Sequence, residues 1–155
     1  SAAAIIPITW EPRMPIASPA TNTTESDRIA RCSCGDLSLR LSGAPRRVYG
    51  CACIECQRAT GTAFAYRAIF ADEAVREIVG EVRSWRRTSD VGRWIDQHFC
   101  PGCGTLLYMS AEALPGAISV SMGCFVERDF PAPAAIHTLR RAARWLDLEA
   151  FAPAA

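Results

Sequence analysis

The chain has 155 residues, a formal net charge of +1 and a sequence pI of about 7.5, so it lacks the charge excess of proteins that bind nucleic acid or membrane surfaces. Hydrophobic residues make up 50% of it and charged residues 21%, which is ordinary for one globular domain of this length. No apolar run approaches the roughly 20 residues of a membrane span. We therefore expect no nucleic-acid partner and no membrane partner.

The first residues predict an extended arm rather than a folded unit. Residues 1–27 contain four prolines and end in a polar run. We therefore expect an arm or linker over 1–27, a folded domain over 28–151 and a short tail over 152–155. The apolar residues of the arm could instead dock on the domain, or on a second copy of the chain in a homodimer.

From Arg28 onward, short segments with alternating hydrophobic residues predict strands with short connections. These segments are 28–34, 36–42, 46–51, 62–70, 81–88, 93–99, 104–110 and 117–122. Residues 72–79 predict a helical turn with Asp72 as its N-cap, and 139–148 a short helix or coil. The sequence thus predicts a mainly β fold with few helical turns.

One stretch places three cysteines within six residues, Cys51, Cys53 and Cys56. Residues i and i+2 of a strand share a face, so Cys51 and Cys53 can point the same way, and a turn can bring Cys56 back to them. Converging thiolates are typical zinc ligands, and three protein ligands leave the fourth tetrahedral position open, as in catalytic sites. We therefore predict a catalytic zinc ion here.

A second set of cysteines predicts a closed site. Cys32 and Cys34 form another same-face pair, while Cys100 and Cys103 belong to a Cys-Pro-Gly-Cys-Gly turn that is typical of a zinc knuckle. Four thiolates complete a tetrahedron, which is the structural type of zinc site, and such a site couples metal binding to folding.

The cysteine spacing also bears on the cellular compartment. Seven of the eight cysteines fall in these two sets, which favours metal ligation over disulfides. Because Ser1 to Trp10 does not have the pattern of a secretory signal, we expect a reducing, cytoplasmic environment.

Taken together, these motifs resemble the glutathione-dependent formaldehyde-activating enzyme family, which also includes centromere protein V-like proteins. The resemblance covers roughly Arg28 to Phe151. It is carried by Cys32-Ser33-Cys34-Gly35, Cys51-Ala52-Cys53-Ile54-Glu55-Cys56, Thr60-Gly61 and Phe99-Cys100-Pro101-Gly102-Cys103-Gly104-Thr105.

This resemblance implies a β-tent fold of short antiparallel strands with two zinc ions per chain. It assigns Cys32, Cys34, Cys100 and Cys103 to the structural ion and Cys51, Cys53 and Cys56 to the catalytic ion, which is the division that the ligand count gives. It also implies a carbon–sulfur lyase that forms or cleaves a thiol–aldehyde adduct such as S-(hydroxymethyl)glutathione, with glutathione or a similar small thiol as partner.

The ligand set suits this chemistry, because zinc held by three thiolates is a weak Lewis acid that can keep a further sulfur as a reactive thiolate. Gln57, Gly61 and Thr62 directly follow the last ligand, so we expect them to line the substrate pocket. The chain departs from the family at Ala52, where His is usual, and at Gln57, where Arg is usual.

These departures leave a second hypothesis open, a non-catalytic zinc module that mediates protein interactions. Cys124 as a fourth ligand of the three-cysteine zinc would favour this hypothesis; the other interpretation of Cys124 is a buried small hydrophobic residue. We expect supporting or packing roles for His98 and His137, and solvation for Glu55. A zinc-ribbon nucleic-acid binder is disfavoured by the near-neutral charge.

Overall fold

The structure is a computed structural model that describes residues 27–127 and 130–146, and it is mainly β, as the sequence predicts. The strands are β1 (Asp27–Arg31), β2 (Ser38–Ser42), β3 (Arg47–Cys51), β4 (Ala65–Ala71), β5 (Val75–Val79), β6 (Arg83–Thr88), β7 (Trp94–Phe99), β8 (Leu106–Ala111), β9 (Ala117–Ser121) and β10 (Ile136–His137). The helix α1 (Ile54–Thr60) is joined by single turns of 3₁₀ helix at Asp72–Ala74, Met122–Cys124 and Leu139–Arg141. The predicted arm, apart from Asp27, and the predicted tail lie outside the described residues.

The strands form two sheets. A three-stranded sheet has the order β1-β2-β5, and a seven-stranded sheet has the order β10-β3-β4-β9-β8-β7-β6. The pairings are antiparallel, as expected, with the exception of β10, which runs parallel to β3. An isolated bridge between Ala30 and Phe125 connects β1 to the chain that follows β9.

The hydrophobic core packs the small sheet against one face of the large one. The leucines at 37, 39 and 41, which alternate in the sequence, are fully buried together with Ala68, Phe70 and Val120. Because side chains alternate across a strand, Tyr49 of β3 and Arg67 and Ile69 of β4 lie on the opposite face of the large sheet and point away from this core. That second face of the large sheet is the one that borders the cavity described below.

Residues 72–79 correct one expectation. They do not form a helical turn capped by Asp72, because the 3₁₀ turn ends at Ala74 and its N-cap is Ala71. The next five residues are the strand β5, which pairs with β2. Val75, Ile78 and Val79 are β-branched and favour a strand once a pairing edge is present, and that long-range edge cannot be seen in the local sequence.

Within the described part of the chain, no helix has the length and apolar character that crossing a membrane requires.

Gly80 generates a testable prediction about the packing of β5. It has φ +100°, and a Cβ at this position would lie 1.9 Å from the backbone oxygen of Asp36, in the loop that carries Cys34. We expect Gly80→Ala to lower the free energy of unfolding by about 3 kcal/mol or more, since a strained φ is combined with a backbone clash.

Gly92→Ala is the matched control in thermal unfolding experiments. Gly92 has φ +81°, and no atom lies within 4 Å of the position that a Cβ would take there, so this variant should show only the conformational cost of about 1–2 kcal/mol. Equal melting temperatures for the two variants would contradict the close packing at Gly80.

Candidate metal centres

The structure brings Cys32, Cys34, Cys100 and Cys103 into one cluster, with all four sulfurs within 4.8 Å of one another. The first two follow β1 and the other two follow β7, so the cluster joins the small sheet to the large one. Sγ of Cys34 lies 3.4 Å from that of Cys32 and 3.6 Å from that of Cys100. A tetrahedron with zinc–sulfur bonds of about 2.3 Å has sulfur–sulfur edges of about 3.8 Å, so the spacing fits such an ion.

Hydrogen bonds hold these thiols in place. The Leu37 amide donates to Sγ of Cys32 over 3.2 Å, and the Thr105 hydroxyl lies 3.2 Å from Sγ of Cys103. The Thr105 hydroxyl is the main reason why the pKa of Cys103 falls to about 5. Donors of this kind stabilise thiolates, the form in which cysteine binds a metal.

Cys51, Cys53 and Cys56 form the second cluster, again with all sulfurs within 4.8 Å of one another. Cys51 ends β3, Cys53 is the N-cap of α1, and Cys56 is buried in the first turns of that helix. The Cys56 amide donates to Sγ of Cys53 over 3.4 Å, which is the capping bond that begins the helix. Gly61 ends the helix with φ 65°, and its amide donates to the Gln57 carbonyl over 2.8 Å.

The pKa values of these thiols indicate what kind of metal ion the cluster fits. A hydrogen bond from Cys56, assisted by Cys53 and Thr138, lowers the pKa of Cys51 to about 5. The same bond, together with burial, raises the pKa of Cys56. One thiolate therefore forms at the expense of its neighbours, and three thiolates at this spacing need a cation to offset their repulsion. Three sulfurs without a carboxylate favour a soft tetrahedral ion.

A cavity of about 400 Å³ opens at this second cluster. All three sulfur-bearing residues line it, together with Tyr49 and Arg47, which lie at alternate positions along β3 and so share the face of Cys51. Its opposite side is formed by the β6–β7 hairpin, β8 and the turn that follows β8. Its volume is within the range of small-molecule sites.

Thr138 is a residue of this site that the sequence analysis missed. It lines the cavity beside Cys51, and its hydroxyl donates to the Cys51 thiolate. Its backbone has φ 62°, the left-handed region that a β-branched residue rarely adopts. It is held there by the parallel pairing of β10 with β3, in which His137 lies opposite Cys51. A two-residue strand has no recognisable sequence pattern, and strain at such a position is common in functional sites.

The predicted pocket residues Gln57, Gly61 and Thr62 are placed elsewhere. The Gln57 side chain donates to the carbonyls of Ala52, over 2.8 Å, and Arg141, over 2.9 Å. Gly61 is the helix cap, and the Thr62 hydroxyl bonds to the Phe64 carbonyl over 2.6 Å. The stretch from Gln57 to Thr60 is helical rather than a loop, and none of these three residues lines the cavity. Their substrate-binding role stays a prediction.

Gln57 instead belongs to a chain of contacts around the cavity. The Arg141 guanidinium forms an ion pair of 3.1 Å with Asp90, at the tip of the β6–β7 hairpin that lines the cavity. The Arg141 carbonyl also accepts a hydrogen bond from Gln57 of α1. Arg141 therefore links the helix of the three-cysteine cluster to the hairpin on the other side of the cavity.

The remaining candidates do not ligate in either cluster. Cys124 packs on the core with its thiol 3.8 Å from the Leu106 carbonyl, burial raises its pKa to about 11, and it belongs to neither cysteine cluster. Both ring nitrogens of His98 contact serine hydroxyls, at 2.8 and 3.0 Å. Glu55 lines the cavity and pairs with Arg58 at 2.6 Å.

Comparison with known proteins agrees with this geometry. The family model described as glutathione-dependent formaldehyde-activating enzyme matches residues 27–140, which includes both clusters. The chain belongs to this family. None of the curated proteins compared with the chain matches it. The matched range lies within or beside the predicted domain, whose bounds of 28–151 stay a prediction. Among the described residues of this chain, the two cysteine clusters are the groups that could hold metal ions.

The four-cysteine cluster predicts a strong coupling between metal and folding. Cys100→Ser should lower the free energy of unfolding by several kcal/mol and remove one metal ion, because the site joins the two sheets. Thermal unfolding with metal analysis of the same samples measures both effects. Cys124→Ala is the control, since Cys124 is outside both clusters. An unchanged melting temperature for Cys100→Ser would contradict the closed site.

The hydrogen bond from Thr138 predicts weaker metal binding when its hydroxyl is removed. Thr138→Val keeps the side-chain shape, and we expect the metal affinity of the three-cysteine cluster to fall about tenfold or more, as for other groups that orient metal ligands. Competition with a chromophoric chelator measures this affinity. Thr88→Val, on an exposed position of β6, should leave it unchanged. Equal affinities for both variants would rule out the orienting role.

Proposed function

We propose that the protein is a zinc-dependent carbon–sulfur lyase that forms or cleaves an adduct between a small thiol, such as glutathione, and an aldehyde. In this proposal Cys51, Cys53 and Cys56 hold the catalytic zinc ion, and Cys32, Cys34, Cys100 and Cys103 hold a structural one. Membership of the family and the two sulfur-only donor sets support it.

The observation that carries the proposal is the position of the three-cysteine cluster on the wall of the cavity. Among the described residues, no other His, Cys, Asp or Glu side chain joins these three with a ligand atom within 4.8 Å, so the protein supplies three such ligands to a tetrahedral ion. The 400 Å³ cavity gives a substrate access to the remaining position. A purely structural ion has no need of such an opening.

The bound zinc ion would lower the pKa of a substrate thiol and keep its sulfur as a thiolate. In the forming direction a sulfur–carbon bond is made at the aldehyde carbonyl, and the oxygen takes up a proton; cleavage reverses both steps. Thr138 orients the Cys51 ligand through its hydroxyl. The walls of the cavity hold the two substrates near each other, which lowers the entropic cost of the reaction.

Two cations are available to bind the carboxylates of glutathione. Arg47 and Arg87 both line the cavity, and neither pairs with an acidic side chain in the part of the chain that is described. Nε of Arg87 is buried without a hydrogen-bond partner among these residues. Guanidinium groups match carboxylates geometrically, so we assign the anionic ends of the thiol to this pair.

The proposal extends to the protein's surroundings. A glutathione-dependent reaction and eight free thiols suit the reducing cytoplasm. The homodimer remains a prediction. The alternative of a non-catalytic zinc module would gain support from Cys124 as a fourth ligand, and Cys124 lies outside the three-cysteine cluster.

Metal content and exchange kinetics test the proposal together. Purified protein should contain two zinc ions per chain, and it should accelerate the exchange between formaldehyde plus glutathione and their adduct, measured by NMR exchange spectroscopy. Cys53→Ser should abolish this acceleration and release one ion, while the fold survives because serine also caps helices well.

Cys124→Ala is the control and should retain both zinc ions and the activity. Full activity in Cys53→Ser would refute the role of this cluster. A wild-type protein that holds two zinc ions but does not accelerate the exchange of any aldehyde would favour the non-catalytic module.

A further inference from the structure

We propose that the aldehyde component of the adduct carries an apolar substituent of several carbon atoms, which binds against an apolar wall of the cavity. This inference rests on the proposed function, because it places the reacting carbon at the three-cysteine cluster. It goes further in naming a class of substrate, apolar aldehydes, in place of formaldehyde.

The wall is composed of aliphatic and thioether side chains. Those with the largest side chains are Ile69, Val91, Ile95, Met109 and Leu114. Alanines at 111 and 113 fill the space between them. A cavity that served only a hydrophilic tripeptide would not need so many apolar side chains in its lining, since exposing them to water is unfavourable.

Most of this wall stands on strands, which fixes its distance from the metal cluster. Ile95 of β7 is paired with Ala111 of β8, and Met109 occupies the alternate position on the same face of β8. Ile69 of β4 is paired with Arg47 of β3, which shares its face with Cys51. Wall and cluster are therefore two parts of one sheet surface, and binding elements on strands are held more precisely than those on loops.

Tyr49 and Asp90, two polar residues that line the cavity, are engaged within the protein, and the proposed function assigns Arg47 and Arg87 to the carboxylates of the thiol. The Tyr49 hydroxyl lies 2.8 Å from that of Ser119. Asp90 is paired with Arg141. What remains for a substituent in the middle of the cavity is apolar contact.

Formaldehyde cannot use this wall, because it has no carbon beyond the carbonyl. A longer aldehyde gains about fourfold in affinity for each buried methylene group, from the free energy of apolar burial. The chemistry stays balanced: the thiol sulfur bonds to the carbonyl carbon, the carbonyl oxygen takes the thiol proton, and the product is a hemithioacetal with the apolar chain on its carbon. The step requires no oxidant or reductant.

Non-reacting analogues test the inference without turnover. S-hexylglutathione and S-methylglutathione share the tripeptide and differ in the length of an alkyl chain that begins at the sulfur. We expect the zinc-loaded protein to bind the hexyl analogue at least about 30-fold more tightly in calorimetry, since five further carbons reach the wall. Exchange kinetics should show a matching preference for hexanal over formaldehyde in kcat/KM.

A pair of matched variants locates the effect. Ile95→Thr should reduce the hexyl-to-methyl affinity ratio several-fold and leave the affinity for the methyl analogue unchanged. Ile78→Thr makes the same substitution on β5, away from the cavity, and should leave the ratio unchanged. Leu114→Ser, in the turn after β8, replaces Ile95→Thr if that variant unfolds.

The outcomes separate the two proposals. Equal affinities for the two analogues, with exchange of formaldehyde still accelerated, would overturn the apolar substrate and leave the lyase function standing. Absence of both binding and exchange in a protein with two zinc ions would overturn both. A preference that follows the chain length of the thiol, tested with alkanethiols, would also overturn the inference, because it would assign the wall to the other substrate.

Discussion

Mutual repulsion between cysteine thiolates is the constraint on which the rest of this structure depends. Seven sulfurs lie in two groups, within 4.8 Å of one another in each, and as thiolates they would repel one another unless a cation lay between them. The four-cysteine group ties the loop after β1 to the loop after β7. A metal ion bound there would add a link between the three-stranded and the seven-stranded sheet to the packing of the core.

The same constraint acts differently at the two groups because their supporting elements differ. In the first, donors from Leu37 and Thr105 surround sulfurs that complete a tetrahedron. In the second, a strand end and a helix start present sulfurs from one side only, and the cavity occupies the other. The open side is therefore a consequence of the strand–helix junction.

A buried cation, Arg67, lies on the sheet face that borders the cavity. Arg67 of β4 is buried at 1% exposure on the face that carries Tyr49, and only its Nη1 donates, over 3.2 Å to Ser121; its Nε and Nη2 have no partner among the described residues. It is paired across the sheet with Tyr49, whose pKa its positive charge lowers against the effect of burial. The same positive charge lowers the pKa of Cys124, against the larger effect of burial.

The sequence by itself determined the mainly β fold, both sets of cysteines and their division into four and three, because ligand spacing and strand alternation are local patterns. It did not determine β10, the left-handed Thr138 or the apolar wall. The wall joins Ile69, Ile95 and Leu114 from separate elements. Only the tertiary structure decided these, since the strained backbone at Thr138 and the cavity surface both depend on pairings between strands far apart in the chain.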